Sequence, residues 1–176
     1  TDMKRMVAYS SVGHMGYVLL AAAAATPLGL MGALFQMISH GLISGVLFLL
    51  VGVVYARTGT RDLNVLRGLL NPERGLPLTG SLMIIGVMAS AGIPGMAGFI
   101  SEFLIFRGSL QPFPVATLLS MVGSGLTAVY FLLLVNRAFF GRLAIAPGEV
   151  ANPRILDPVA LREQVPAIAL SLGVLA

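Results

Sequence analysis

GVMASAGIPGMAGFISEFLIF, residues 86–106, is an apolar run with a break in its middle. Gly92, Pro94, Gly95 and Gly98 fall within one short window. Proline removes a backbone donor and clashes with the preceding turn, and glycine weakens a helix further. A membrane helix interrupted in this way frees polar backbone groups. Such groups are tolerated only where protein or a wet cavity covers them. Just past the break, in strongly apolar surroundings, stands one carboxylate, Glu102. An ionisable residue beside a broken span is the usual mark of an ion or proton path.

The composition around this run agrees with a membrane setting. The chain is 57% hydrophobic and only 10% charged, with a mean hydropathy of +0.93. Soluble domains average about 25% charged residues. Alternation of apolar and polar residues is absent, which argues against a β-barrel. The predicted fold is all-α, a polytopic transmembrane helix bundle with one discontinuous helix. The net charge is +4, but the basic residues lie between apolar runs, where they set topology rather than bind nucleic acid. The absence of cysteine excludes thiolate and iron–sulfur ligation within this segment.

Working outward from the break, the predicted spans are 6–25, 30–56, 78–106 (broken near 92–98), 115–140 and a truncated 163–176, all in a single membrane domain, 1–176. The first residue is Thr, and the last apolar run is about half of the roughly 20 residues a span needs. The chain therefore reads as an internal piece of a longer one. Four complete spans place Lys4, Arg5, Arg57, Arg61, Arg67, Arg74, Arg137, Arg142, Arg154 and Arg162 on one side and only Arg107 on the other. By the positive-inside rule the basic side is cytoplasmic. The linker 141–162, with Pro147, Pro153 and Pro158, falls on that side.

Two spans carry polar faces. In the second, Gln36, His40 and Ser44 recur every four residues, with Ser39 adjacent, and so share a helix face. An imidazole changes charge near neutral pH and suits proton relay. In the first, Ser10, Ser11, His14 and Tyr17 form another polar face, on which the serines and the tyrosine could satisfy both nitrogens of His14. Lys4 lies at the cytoplasmic edge, as a topology-setting cation or a point of proton entry. Ser120, Ser124 and Thr127, followed by Tyr130, read as small polar residues for close helix packing, with no chemistry assigned.

Glu102 is the strongest site candidate. As one straight helix, the broken segment would measure roughly 43 Å, against a hydrocarbon core of about 30 Å. An unwound break loses rise and draws Glu102 toward the midplane. The new helix N-terminus favours the anion, and burial favours the neutral acid. A group under such opposed influences can take either protonation state, as a proton carrier must. Walker loops, dinucleotide fingerprints and clustered metal ligands are absent from the sequence, so any redox chemistry is carried elsewhere.

Four stretches carry a family resemblance: DMKRMVAYSSVGHMG (2–16), QMISHGLISGVLFLLVG (36–52), GIPGMAGFISEF (92–103) and NRAFFGRL (136–143). They resemble the antiporter-like, proton-pumping membrane subunits of complex I, also called type-1 NAD(P)H dehydrogenase. Within these they are most similar to the subunit-4 branch, comprising the bacterial M subunit and the cyanobacterial and plastid D subunit. The resemblance implies the C-terminal part of a fourteen-helix antiporter-like fold, helices ten to fourteen, with 78–106 as the discontinuous helix. It implies that Glu102 is the proton-path carboxylate of the break and that His40 is the histidine of a central hydrophilic axis.

The implied function is proton translocation in an NAD(P)H or ferredoxin:quinone oxidoreductase, driven by electron transfer elsewhere in the complex. The implied partners are other membrane subunits and the lipid bilayer. Iron–sulfur clusters, quinone and electron donor belong to partner subunits, and no cofactor is expected in this chain. RGLLNPERGLP (67–77) and LLLVNRAFFGRL (132–143) are similar to cyanobacterial D subunits of the carbon-dioxide-uptake form, which implies a thylakoid rather than a bacterial plasma membrane. Asn136 departs from the respiratory bacterial pattern, where His is frequent. Two other readings stay open: a subunit of a multisubunit Na⁺/H⁺ antiporter, and a structural scaffold for a carbon-dioxide-hydrating module.

Overall fold

The computed structural model describes residues 2–72, 75–141 and 159–175. Arg74, Arg142, Arg154 and the linker prolines lie outside the described residues. Among the described residues six helices form the bundle: α1 (Met3–Ala24), α2 (Pro27–Thr58), α3 (Pro77–Ser90), α4 (Ala97–Ser109), α5 (Pro114–Phe139) and α6 (Leu161–Val174). No strand occurs among the described residues, only two isolated bridges.

Local chemistry sets the helix ends. The Asp2 carboxylate accepts from the backbone N–H groups of Lys4 and Arg5 at 2.8 and 3.2 Å, capping α1. The Thr26 hydroxyl accepts from Gly29 N at 3.0 Å, and Pro27 follows it as the first residue of α2. Pro77 and Pro114 open α3 and α5 in the same way. At these positions the missing N–H is one that a helix start leaves unbonded anyway.

The helices are arranged so that charge gathers at one end. Asp2 pairs with Arg61 at 3.8 Å, and Arg57 pairs with Glu163 at 2.6 Å. Gly68 N donates to Phe140 O at 3.1 Å. These contacts bring the start of α1, the end of α2, the end of α5 and the start of α6 to a common face. At the opposite end, the Thr26 hydroxyl donates to Gly108 O at 2.9 Å and ties the α1–α2 turn to α4.

α2 is the hub and touches α1, α3, α4 and α6. Its closest neighbour is α4. Gly32 lies against the backbone of Ile105, and Gly108 against that of Gly29, leaving no room for a Cβ at either contact. Lipid tails are as apolar as leucine, so such close approach and interhelical hydrogen bonds hold helices together in a bilayer. A larger apolar cluster, including Val46, Leu47, Leu50, Val54, Phe131 and Phe139, fills the basic half. Tyr17, Ala21, Ala33 and Ile105 fill the other.

α1, α2 and α5 are each long and apolar enough to cross a bilayer. α3 and α4, at 14 and 13 residues, are each about 20 Å long, and neither spans alone. Large apolar side chains such as Val115, Leu119, Val122 and Leu126 stand exposed on α5. Such an outward apolar surface belongs against lipid or other membrane helices.

Candidate functional site

The site is built on the six-residue break, 91–96, between α3 and α4. In a continuous helix the Ser90 carbonyl would accept from the N–H of residue 94, which is proline and has none. That carbonyl is therefore left over. Gly92 and Gly95 turn the chain with φ of +66° and +92°, a region that glycine enters without strain. Gly98 then lets the first turn of α4 pack directly against the Ala89 carbonyl, where a Cβ has no space.

His14, in the middle of α1, meets the stranded carbonyl. Its Nε2 lies 3.2 Å from Ser90 O and 3.5 Å from Glu102 Oε1. A hydrogen bond to a carbonyl requires the proton on Nε2, so the network assigns that tautomer to the neutral ring. Nδ1 is buried and has no hydrogen-bond partner among the described residues. It is thus an acceptor in the neutral ring and the atom at which a second proton would add. The His40 ring of α2 lies 4.9 Å from the His14 ring, tilted by 43°.

Glu102 is the sixth residue of α4. It is 6% exposed, beside His14 at 3% and His40 at 8%. Its second oxygen, Oε2, accepts from Ser124 Oγ of α5 at 2.7 Å. A Cβ on Gly92 would fall 2.9 Å from that same oxygen, so the break closes directly over the carboxylate. Tyr17 packs edge-on against His14 and against Phe106, with ring separations of 5.8 and 5.4 Å.

A second polar group lies one residue away and faces another helix. The Ser101 hydroxyl bonds the side-chain carbonyl of Gln36 and lies 3.2 Å from the Ser39 hydroxyl. It also reaches the carbonyls of Ala97 and Gly98 within its own helix. None of these groups titrates in the physiological range, and all are buried.

Of the residues singled out from sequence, Glu102, His14 and His40 come together. Lys4 does not join them: it is exposed at the start of α1, about 15 Å along that helix from His14 at 1.5 Å per residue. Ser44 turns back to Gly41 O at 3.3 Å and leaves the polar face of α2 to Gln36, Ser39 and His40. Ser10 and Ser11 likewise bond Val7 O at 2.7 and 3.4 Å rather than the His14 ring. The expected local satisfaction of His14 is replaced by partners 76 and 88 residues away. From sequence Ser124 reads as a packing residue, because its spacing with Ser120 and Thr127 is equally that of tightly packed helices. Among the described residues no cluster of His, Cys, Asp or Glu could hold a metal ion.

An imidazole and a carboxylate at this separation, both withdrawn from water, can exchange a proton or share an ion pair. A second imidazole beside them lengthens the line.

The family described as NADH:quinone oxidoreductase/Mrp antiporter, TM, matches residues 1–127. NAD(P)H-quinone oxidoreductase chain 4 1 of Synechococcus elongatus is 43% identical over 178 aligned positions, which cover 96% of this chain and 33% of that protein. NADH-quinone oxidoreductase subunit M of Escherichia coli is 40% identical, over 93% of this chain and 31% of that protein. The structure of respiratory complex I from Thermus thermophilus with bound NADH contains a chain that superposes with a TM-score of 0.87 at 30% identity, over 99% of this chain and 35% of that one. The chain thus spans about a third of the length of the relatives it matches. It belongs to the NADH:quinone oxidoreductase/Mrp antiporter transmembrane family, among the subunit M and chain 4 proteins.

Proposed function

We propose that this chain is part of a proton-translocating membrane subunit of an NAD(P)H or ferredoxin:quinone oxidoreductase, in which Glu102, His14 and His40 form a proton path. The observation that carries this is the buried Glu102 carboxylate under the helix break, 3.5 Å from His14. Intramembrane ionisable groups are costly and are kept for a use. Electron transfer, the iron–sulfur clusters and the quinone belong to other subunits.

The proton steps follow from the ring atoms. A proton arriving from the His40 side adds to Nδ1 of His14 and makes an imidazolium. The Nε2 proton then passes to Glu102 Oε1, leaving a neutral ring and an uncharged acid. The ring is then neutral with its proton on Nδ1, and a rotation that returns an N–H to Ser90 O resets the site. Lys4, at the basic end, is a candidate for proton entry at a distance from this exchange.

The test is Glu102→Gln in the whole complex. Proton pumping is expected to fall steeply at a given rate of quinone reduction, and unchanged pumping would remove Glu102 from the path.

The cyanobacterial relative and the stretches 67–77 and 132–143 support placement in a thylakoid membrane, with plastoquinone as acceptor, and point to the carbon-dioxide-uptake form. A second reading, a subunit of a multisubunit Na⁺/H⁺ antiporter, has the support of the family itself, whose description names Mrp antiporters. Co-purification with iron–sulfur subunits separates the two. A scaffold for a carbon-dioxide-hydrating module predicts instead that Glu102→Gln leaves carbon uptake intact.

A further inference from the structure

Among the described residues the Glu102 carboxylate has one polar side-chain partner on each oxygen. Oε1 faces His14 Nε2 at 3.5 Å, and Oε2 accepts from the Ser124 hydroxyl of α5 at 2.7 Å. The two contacts are unequal. Nε2 carries one proton in the neutral ring, and the Ser90 carbonyl takes it at 3.2 Å. The hydrogen bond that the carboxylate holds in this state is therefore the one from Ser124, short as bonds to charged oxygens are.

Ser124 differs from other hydroxyls on its helix. Thr117 and Thr127 bond the carbonyl one turn back, at 2.8 and 3.1 Å, and stay within α5. The Ser124 hydroxyl crosses to α4 instead. The break lies against the same oxygen. A Cβ on Gly92 would fall 2.9 Å from Oε2 but 3.8 Å from Oε1. With a φ of +66°, position 92 suits glycine, and the space is left to the carboxylate. Oε2 is thus seated between α5 and the break, and Oε1 is turned to the imidazole.

We propose that Ser124 is a positioning residue, which holds the Glu102 carboxyl plane so that the oxygen facing His14 is the one that takes the proton. The inference rests on Glu102 being a proton carrier and concerns how that carrier is aimed. The terminal torsion of a glutamate is soft. A quarter turn about it would take both oxygens off the line to His14, and the Ser124 bond resists that turn. When the Nε2–H bond of His14 breaks and an O–H bond forms on Oε1, Oε2 becomes the carbonyl of the neutral acid. A carbonyl still accepts, so Ser124 keeps both its bond and its own proton. The carboxyl stays aimed in either state.

The experiment compares Ser124→Ala, Ser124→Val and Ser124→Thr in the assembled complex in proteoliposomes, with assembly checked on native gels. Ser124→Thr keeps the hydroxyl, Ser124→Val has the same shape without one, and Ser124→Ala removes it without adding bulk. Expected is proton uptake per quinone reduced within about twofold of wild type for Ser124→Thr. A loss of about tenfold is expected for the other two, as for a lost hydrogen bond to a charged group. Infrared difference spectra give a second reading. The protonated-carboxyl band of Glu102, assigned by its absence in Glu102→Gln, should move to higher wavenumber in Ser124→Ala, where the carbonyl has lost its donor. It should stay near its wild-type place in Ser124→Thr. Equal pumping by Ser124→Val and Ser124→Thr, both high or both low, overturns the proposal. So does an unshifted band in Ser124→Ala. If Glu102→Gln pumps normally, the carrier reading fails and takes the proposal with it; if Glu102→Gln is inactive while Ser124→Val pumps as wild type, only the positioning role fails.

Discussion

Ser101 and Glu102 are neighbours on α4, yet they belong to different kinds of polar site. Ser101 turns to α2 and meets Gln36 and Ser39, a group whose hydrogen bonds are made and whose members keep one charge state. Glu102 turns to α1 and α5 and meets His14, a group able to give or accept a proton, and Ser124, whose hydroxyl donates to the carboxylate. Both sites are buried, and both cross between helices. In a bilayer a polar side chain can hold helices together, or it can carry charge between them. Polarity alone does not distinguish the two; the capacity to titrate does.

The comparison breaks first where both sites share a foundation. Gly98 sets the first turn of α4 against the Ala89 carbonyl, and α4 carries both residues. Gly98→Val is expected to abolish most assembly, seen as loss of the intact complex on native gels. If the complex accumulates normally, the close α3–α4 contact is not needed. Glu102→Gln follows: the assembled complex remains, and pumping falls by an order of magnitude or more, read as proton uptake per quinone reduced.

His14 has a foot in each role, because it satisfies the Ser90 carbonyl and faces the carboxylate. His14→Ala leaves that carbonyl unpaired, at a cost of about 1–3 kcal/mol, and also lowers pumping. His14→Gln restores a donor. Thermal stability in detergent should recover while pumping does not, and recovery of both would reduce His14 to a structural residue. Ser101→Ala is the mildest change. It is expected to lower stability by about 1 kcal/mol and to leave the pumping ratio unaltered; a fall in that ratio would erase the distinction between the sites.

Much of this was legible in the sequence, for reasons that are local. Pro94 and its glycines announce the break, because they act on their own helix. The four-residue spacing of Gln36 and His40 marks a shared face, because it is a property of one helix. Period does not say which face meets which neighbour. Ser124 and Glu102 are 22 residues apart, and Arg57 and Glu163 are 106 apart; nothing in either local pattern announces its partner. Ser44 shows the converse. It keeps the period of Gln36 and His40 but bonds within its own helix, so spacing over-counted the polar face. The link from His14 to Ser90 could have been found in part. Pro94 predicts an orphaned carbonyl four residues earlier, and only its partner needed the fold.

The central claim is that Glu102 changes protonation during turnover. Infrared difference spectroscopy of the whole complex, with and without quinone turnover, reads this directly. Expected is a protonated-carboxyl band that appears or vanishes with turnover, shifts in heavy water and is missing in Glu102→Gln. A difference spectrum identical in wild type and Glu102→Gln would contradict it.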